Sequence, residues 1–460
     1  MKNLAKHLRL GCVVAALLLP VALWAQQEDN DQQKVNQLSL GLQILTHGER
    51  RNGGLSNEGD TDDNDDANFL MNRTRLTLSY RKDFNPADKA WGRVAVDTKI
   101  VAQNSGIWGM KGNNSFVIYE AWAKLTDKTG LFLQVGRQAL AYDDERIIGP
   151  NDWAMASLSH DVVRLGYEGH GHKAHAILAY NQNAANVNGG TYYDKNNGSQ
   201  PYKTMHTLWY HYDVPKIPLG ASLLFMNVGM QAGIPYGVDT NRPRTEYQRL
   251  YGGYVSYCPD HWSLEGAYYR QKGKNEDGVK INAWMASILG KWSPTAKCGF
   301  HAGFDYLSGD DYMPVPKQGE LGLPKHDEIK YFLPVYGSQH KFYGAMDFFY
   351  LSNFVNQFSP GLQNAFVGAD VHPVKNLKIG VSYHYLAMAT KLKDMDMTLG
   401  HEIEVEASYR LIKEASLSAG FSYMTGTDSM ERLKRASGDG SLRWAWFSLV
   451  ISPSLFTTRW

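Results

Sequence analysis

Segments alternating at a period of two, joined by connections that are short and long in strict turn, constrain this chain more than any other feature. In LTLSYR, Leu76, Leu78 and Tyr80 alternate with Thr77, Ser79 and Arg81. In NLKIGVSYHY, Leu377, Ile379, Val381, Tyr383 and Tyr385 alternate with Lys378, Gly380, Ser382 and His384. One apolar parity per segment means β-strand, because successive side chains point to opposite faces of a sheet. The pattern runs from residue 38 to the end, in segments of about ten residues.

The connections decide what kind of sheet this is. One set carries compact turn chemistry: NPAD after Phe84, KTG before Leu131, HGH after Gly169, PKIP after Val214, CPD after Tyr257, SPTA after Trp292 and HPVKN after Val371. The other set is long and polar: residues 53–68, 188–202, 234–246 and, longest, 308–353. Short turns at one edge and long loops at the other are the pattern of a transmembrane barrel. A soluble sandwich or propeller buries its apolar face and has no need of it. Counting segments gives about 18 strands, an even number that returns both chain ends to the turn side. Trp91, Trp122, Trp209, Trp262 and Trp292 read as an interfacial girdle, and the chain ends on an aromatic, Trp460. The expected fold is therefore all-β: a single transmembrane antiparallel β-barrel over residues 38–460.

Composition excludes the helical alternative. A helical span needs roughly 20 mostly apolar residues, and one such stretch exists, residues 10–23 behind Lys2, Lys6 and Arg9. With Ala25 before QQEDNDQQK, residues 1–25 read as a secretory signal peptide and 26–37 as a periplasmic lead-in, which puts the barrel in the outer membrane of a Gram-negative bacterium. Cys12 opens the apolar run instead of following it, which argues against a lipid anchor. The formal charge is +1, from 47 basic and 46 acidic residues, and loss of the three N-terminal basic residues takes it to −2. Nothing in that balance points to nucleic acid. Cys258 and Cys298 lie near turns with two strands between them, which makes a disulfide awkward.

If one parity meets lipid, the other lines the interior. That rule assigns to the lumen Arg73, Arg75 and Arg81; Arg93, Asp97 and Lys99; Glu120 and Lys124; Arg164 and Glu168; Lys173 and His175; Asp305 and Lys378; and the ladder Glu402, Glu404 and Glu406. A basic wall from the early strands then faces an acidic wall from the late ones. Two readings stand for these charges: a transverse field that selects solutes, or mutual pairing that stiffens a filled barrel.

In GRQALAYDDERIIGPNDWAMASLSHDVVRLGYEG, the residues Gly136, Arg137, Gln138, Tyr142, Asp144, Glu145, Arg146, Gly149, Trp153, Asp161, Arg164 and Leu165 resemble the GRQ, GDxRxxG, W and FDxxRL runs of the alginate export family of outer-membrane proteins. The stretch holding Tyr336, Gly337, His340, Lys341, Phe342 and Gly344 resembles that family's long-loop signature. These runs cover about a fifth of the chain. The resemblance implies an eighteen-stranded barrel whose basic constriction passes an anionic polysaccharide outward, and it adds Arg137 and Arg146 to the pathway residues. Ser159 and His160 stand where the family carries an aromatic, and the glutamate ladder departs from a purely basic pore. Arg137 falls on the lipid parity of LFLQVGRQ. An arginine on lipid at mid-bilayer costs roughly 2–4 kcal/mol, so a bulge or the strand end must redirect it.

Other chemistry is weakly supported. Ser159, His160 and Asp161 are consecutive in an extended segment and point alternately to opposite faces, so they cannot form a relay, and no enzymatic activity is expected. His170, His172 and His175 lack further ligands near them in sequence, and the Asp60 to Asp66 run lacks the glycine and glutamate of a calcium loop, so no metal or other cofactor is expected. The expected function is a channel, porin-like or exporting, for hydrophilic solutes that are anionic or saccharide. The rival is a surface binding or scaffold barrel with an occluded lumen. The expected partners are outer-membrane lipid, lipopolysaccharide, the solute and other envelope proteins. Residues 308–353, with Pro314, Pro316, Pro324 and Pro334 among many aromatics, are expected to fold inward or across the mouth.

Overall fold

A computed structural model describes residues 36–52, 67–84, 94–109, 115–182, 202–232, 244–311, 328–349, 358–434 and 441–460. The expected signal peptide, most of the lead-in, Arg93, Trp91 and the Asp60 to Asp66 run lie outside the described residues.

Among the described residues twenty strands form one sheet: β1 (Asn36–Asn52), β2 (Ala67–Phe84), β3 (Val94–Ile107), β4 (Ser115–Asp127), β5 (Leu131–Gln138), β6 (His160–Gly169), β7 (His172–Tyr180), β8 (Thr204–Asp213), β9 (Leu219–Ala232), β10 (Arg244–Tyr257), β11 (Trp262–Lys274), β12 (Lys280–Thr295), β13 (Cys298–Leu307), β14 (Glu328–Ile329), β15 (Leu362–Val374), β16 (Leu377–Ala387), β17 (Thr398–Ile412), β18 (Ala415–Gly426), β19 (Ser441–Ile451) and β20 (Ser454–Arg459). β14 is a two-residue parallel addition to β12. β19 and β20 are two halves of the last pass, and both pair with β1. The remaining neighbours are antiparallel, so eighteen passes close into a barrel. Closure pairs every wall strand on both sides, which is how backbone N–H and C=O groups are satisfied where no water reaches. Among the described residues no helix is long and apolar enough to cross a membrane.

The outward parity is apolar, as in Leu78, Ile100, Leu165, Leu208 and Leu223. Trp262 and Trp292, paired across β11 and β12, are exposed near the turn edge as girdle residues are. Two expected girdle residues turn inward instead. Trp122 Nε1 donates to Glu120 Oε2 at 2.9 Å, and Trp209 is buried against Tyr142 and His175.

The inner face also departs from a uniformly polar lining. On β7–β12 it carries Ile177, Met205, Met226, Leu250, Ile281 and Met285, all buried. These residues pack in one cluster with Leu140 and Ile148 of the β5–β6 connection and with Phe332, Tyr336 and Met346 of the connection after β14. The stretch ASLLFMNVGM is apolar on both parities because one face meets lipid and the other meets folded-in loops. Cys258 and Cys298 are free thiols.

Candidate functional site

The described parts of two long connections, residues 139–159 and 328–349, pack inside the loop-side half of the barrel, and the site is built around their junction. The first is drawn in by its apolar residues, with Leu140 and Ile148 essentially fully buried. It is fixed to the wall by β2. Arg73 Nη1 donates to the Asp152 and Ala154 carbonyls at 2.8 and 2.9 Å and to Ser157 Oγ at 2.9 Å. Arg75 Nη1 lies 2.6 Å from Asp152 Oδ1, its Nε donates to Gln103 Oε1 at 2.7 Å, and its guanidinium sits 4.1 Å from the Tyr119 ring centre. Tyr119 and Glu120 are both buried because a bulge opposite Val101 and Ala102 places consecutive residues on the inner side.

The second connection is held by β17. Glu402 Oε1 accepts the Met346 N–H at 2.9 Å and Glu404 Oε1 accepts that of Ala345 at 2.6 Å. Gly344, at φ +91°, allows this approach, since a side chain there would run into the Glu402 carboxylate. The ladder therefore anchors a loop: two of its carboxylates receive backbone donors.

The two connections pair with each other. Gly149 N–H donates to the Tyr336 carbonyl at 2.8 Å, Tyr336 N–H to Ile147 at 3.2 Å, and Ser338 N–H to Glu145 at 2.9 Å. A side chain at Gly337 would meet the Arg146 carbonyl. Arg146 joins everything: its Nη1 is 3.0 Å from Asp305 Oδ1 on β13 and 3.0 Å from Tyr343 Oη, its Nε is 3.1 Å from Asp144 Oδ2, and its guanidinium lies 4.0 Å from the Phe342 ring centre. Burial alone would depress its pKa, but Asp305, Tyr343 and Asp144 raise it above the usual arginine value. A charge this deep persists only when its hydrogen bonds are satisfied. At the far end, Trp153 stacks on His340 at 4.1 Å and meets Trp446 edge-on at 4.8 Å, while His340 Nδ1 is 2.8 Å from Asp347 Oδ2.

The other expected residues distribute differently. Toward the turn side, Arg81 pairs with Asp97 at 3.5 Å, and Lys99 with Glu120 at 2.6 Å. Arg164 donates to Gln134 and to Tyr142 Oη, and the ammonium of Lys124 sits 4.1 Å from the Phe132 ring centre. Glu406 is half-buried on the inner face of β17. Arg137 departs from the expected lumen position. It points outward beside Val135 and forks onto Asp161, with Nε and Nη2 at 2.8 and 2.7 Å from the two carboxylate oxygens. No bulge redirects it; it sits at the loop-side end of β5, its charge neutralised where an unpaired arginine would be costly. His160, the residue before Asp161, points inward to Tyr202 Oη at 2.8 Å.

Asp152, Trp153 and Tyr343 act at the junction, yet nothing periodic marks them. The one signal in the sequence is that Trp153 falls within the first motif run and Tyr343 beside the second, and those runs are the two inward connections.

The sequence profile described as alginate export matches residues 37–395. A search of curated proteins finds no significant match. Solved structures share the fold at low identity. OccK9 (OpdG) of Pseudomonas aeruginosa is 11% identical with a TM-score of 0.58, covering 92% of this chain and 98% of its own. OccAB1 of Acinetobacter baumannii is 12% identical at 0.59, covering 91% and 97%. OccK2 (OpdF) of P. aeruginosa, in complex with glucuronate, is 11% identical at 0.58, covering 91% and 97%.

Proposed function

The chain belongs to the alginate export family, and on that premise we propose that this outer-membrane channel conducts hydrophilic solutes that are anionic or saccharide, with the paired inward loops as its gate. The observation that carries the reading is the contrast between two sets of inward basic residues. Arg73, Arg75 and Arg146 are committed to holding loops. Arg81 and Lys99 retain 49% and 33% exposure of their side chains on the turn side of the barrel. In a confined polar lumen such cations favour anions and hydrogen-bond to hydroxyls, while their carboxylate neighbours keep the field short-ranged. Lys124, Arg164 and Glu406 extend the same lining. One relative in fold, OccK2, is crystallised with an acidic sugar, a solute of the class proposed.

A second reading has its own observation: an apolar cluster inside the barrel suits a permanently closed scaffold that binds through its loops. Planar-bilayer recording of the folded protein separates the two. The channel reading expects steady conductance, raised by deletion of residues 330–348, and reversal potentials that favour anions. A folded barrel that stays electrically closed after that deletion would establish the scaffold instead.

A further inference from the structure

On the outward face of β9–β12, toward the loop-side ends, the parity that presents leucine and tyrosine to lipid presents cations instead. Arg249 of β10 stands directly opposite Lys272 of β11, and Arg270 lies two residues from Lys272 on the same face. Their outward neighbours across the ladder are amides, Asn227 of β9 opposite Arg249 and Asn282 of β12 opposite Lys272. Like charges directly opposite on one face of a sheet are destabilising, with Cβ atoms only about 4.5–5.5 Å apart. Among the described residues no carboxylate relieves them. Lys272 Nζ and Arg270 Nη2 both donate to the neutral Asn282 Oδ1, at 2.7 and 3.1 Å, and the exposed Arg249 side chain makes no hydrogen bond or ion pair. Arg137, also outward, is by contrast neutralised in the bidentate fork of Asp161.

The strand sets the height of these cations on the barrel. Lys272 follows the turn-side girdle residue Trp262 by 10 residues on β11. At about 3.4 Å per residue and a tilt of about 40°, that is a rise of roughly 26 Å, against an apolar band about 25 Å tall. Tyr251 and Trp284 flank Arg270 across the ladder, and Trp284 stacks on Tyr306 at 4.6 Å, so the loop-side aromatic girdle runs at the same level. Turn-ward of the cations the outward face is hollowed into an apolar groove of about 1400 Å³. Its lining includes the exposed Leu208, Leu223, Phe225, Tyr251 and Tyr268. It is recessed where Ala176 of β7 stands between Leu165 and Leu208.

Long loops mark the extracellular edge of such a barrel, so the groove lies in the outer leaflet with the cations at its headgroup boundary. That arrangement is complementary to an amphiphile with acyl chains below and phosphate above. A guanidinium offers phosphate two parallel charge-assisted hydrogen bonds, and an ammonium adds a compact point charge. From β6 to β11 the groove crosses six strands, roughly 24 Å at a spacing of about 4.8 Å, which is room for more chains side by side than the two of a phospholipid. We infer that Arg249, Arg270 and Lys272, with the groove beneath them, form a specific site for the phosphorylated glycolipid of the outer leaflet, a lipopolysaccharide-type lipid whose phosphate sits between Arg249 and Lys272 and whose acyl chains lie along Phe225 and Leu208. The site is on the outside of the barrel and does not depend on what the lumen conducts.

The test uses the folded full-length protein in detergent, with diphosphorylated lipid A, dephosphorylated lipid A and phosphatidylglycerol as probes, read by native mass spectrometry. The wild type should retain the diphosphorylated lipid at least tenfold better than either comparison lipid. The double substitution Arg249→Gln with Lys272→Gln should remove that preference. Phe225→Ala should weaken retention of both forms of lipid A alike. Arg443→Gln, which removes an exposed cation from β19, outside the groove, should leave the preference unchanged. Heat-modifiable gel mobility verifies that each variant is folded. A preference that survives the double substitution, an equal loss in Arg443→Gln, or equal retention of either comparison lipid by the wild type would overturn the assignment.

Discussion

The guanidinium of Arg146 and the carboxylate of Asp305 meet at 3.0 Å, with side-chain exposures of 6% and 4%, although one belongs to an inward loop and the other to the wall. Removing one partner of such a pair strands the other charge, at about 3–5 kcal/mol. Arg146→Ala should therefore detach the paired loops while leaving the closed sheet intact. Hydrogen exchange in residues 140–150 and 332–346 should speed up sharply, with wild-type gel mobility of the folded barrel. Unchanged exchange would mean that the apolar cluster alone holds the loops.

Glu402 and Glu404 secure the second loop through backbone donors. Leaving a buried backbone donor without its acceptor costs about 1–3 kcal/mol. Replacing both glutamates by Ala removes the two acceptors and leaves the Ala345 and Met346 N–H groups without them, so residues 342–349 should become accessible to protease in the folded protein. Resistance equal to wild type would show that these bonds are incidental.

The His340 and Asp347 pair makes this anchoring pH-dependent. Burial alone would lower the His340 pKa, but Asp347, Glu404 and Glu406 raise it above the ordinary histidine value. Burial raises Asp347 above the usual carboxylate range. A group whose folded pKa is raised contributes fully below its unfolded pKa and loses that contribution as pH rises through the folded value. Both shifts act in the same direction, the Asp347 share being lost from about 3.9 upward and the His340 share above about 6.5, the ordinary values of the two groups, so the clasp of Trp153 on His340 should loosen as pH climbs. Hydrogen exchange around residue 340, corrected for its intrinsic pH dependence, should show this in the wild type and not in His340→Gln.

The barrel was legible because lipid imposes its rule on every second residue: Leu76 and Leu78 could not have faced water-filled lumen, so Arg73 and Arg75 had to. What covers those arginines was not legible. Asp152 is a residue of an aperiodic loop, and its approach to Arg75 is set by the tertiary path of that loop. The partners of Glu402 and Glu404 are backbone N–H groups, which every residue but proline possesses, so no side-chain pattern announces them. Trp209 differs from expectation for a related reason: an aromatic near a strand end suits a girdle equally well as it suits a core inside the barrel. Parity gave Arg137 its outward face, but only the cross-strand register with Asp161 explains how the charge is tolerated there.

Charge reversal on the wall separates holding residues from lining residues. Arg81→Glu and Lys99→Glu each change the local charge by about two units at half-exposed positions, where screening over a Debye length of about 8 Å confines the effect to solutes passing close by. Each should move the reversal potential toward cations, with little change in loop protection. Arg73→Glu should do the opposite. Its guanidinium is 1% exposed and donates to two carbonyls and a hydroxyl of the first loop, so a carboxylate there repels what it must hold, and the loss is read as faster exchange and higher conductance before any change of selectivity. If Arg73→Glu shifts selectivity as strongly as Arg81→Glu while the loops stay protected, solutes pass beside β2 at Arg73, and the gate lies elsewhere than at the paired loops.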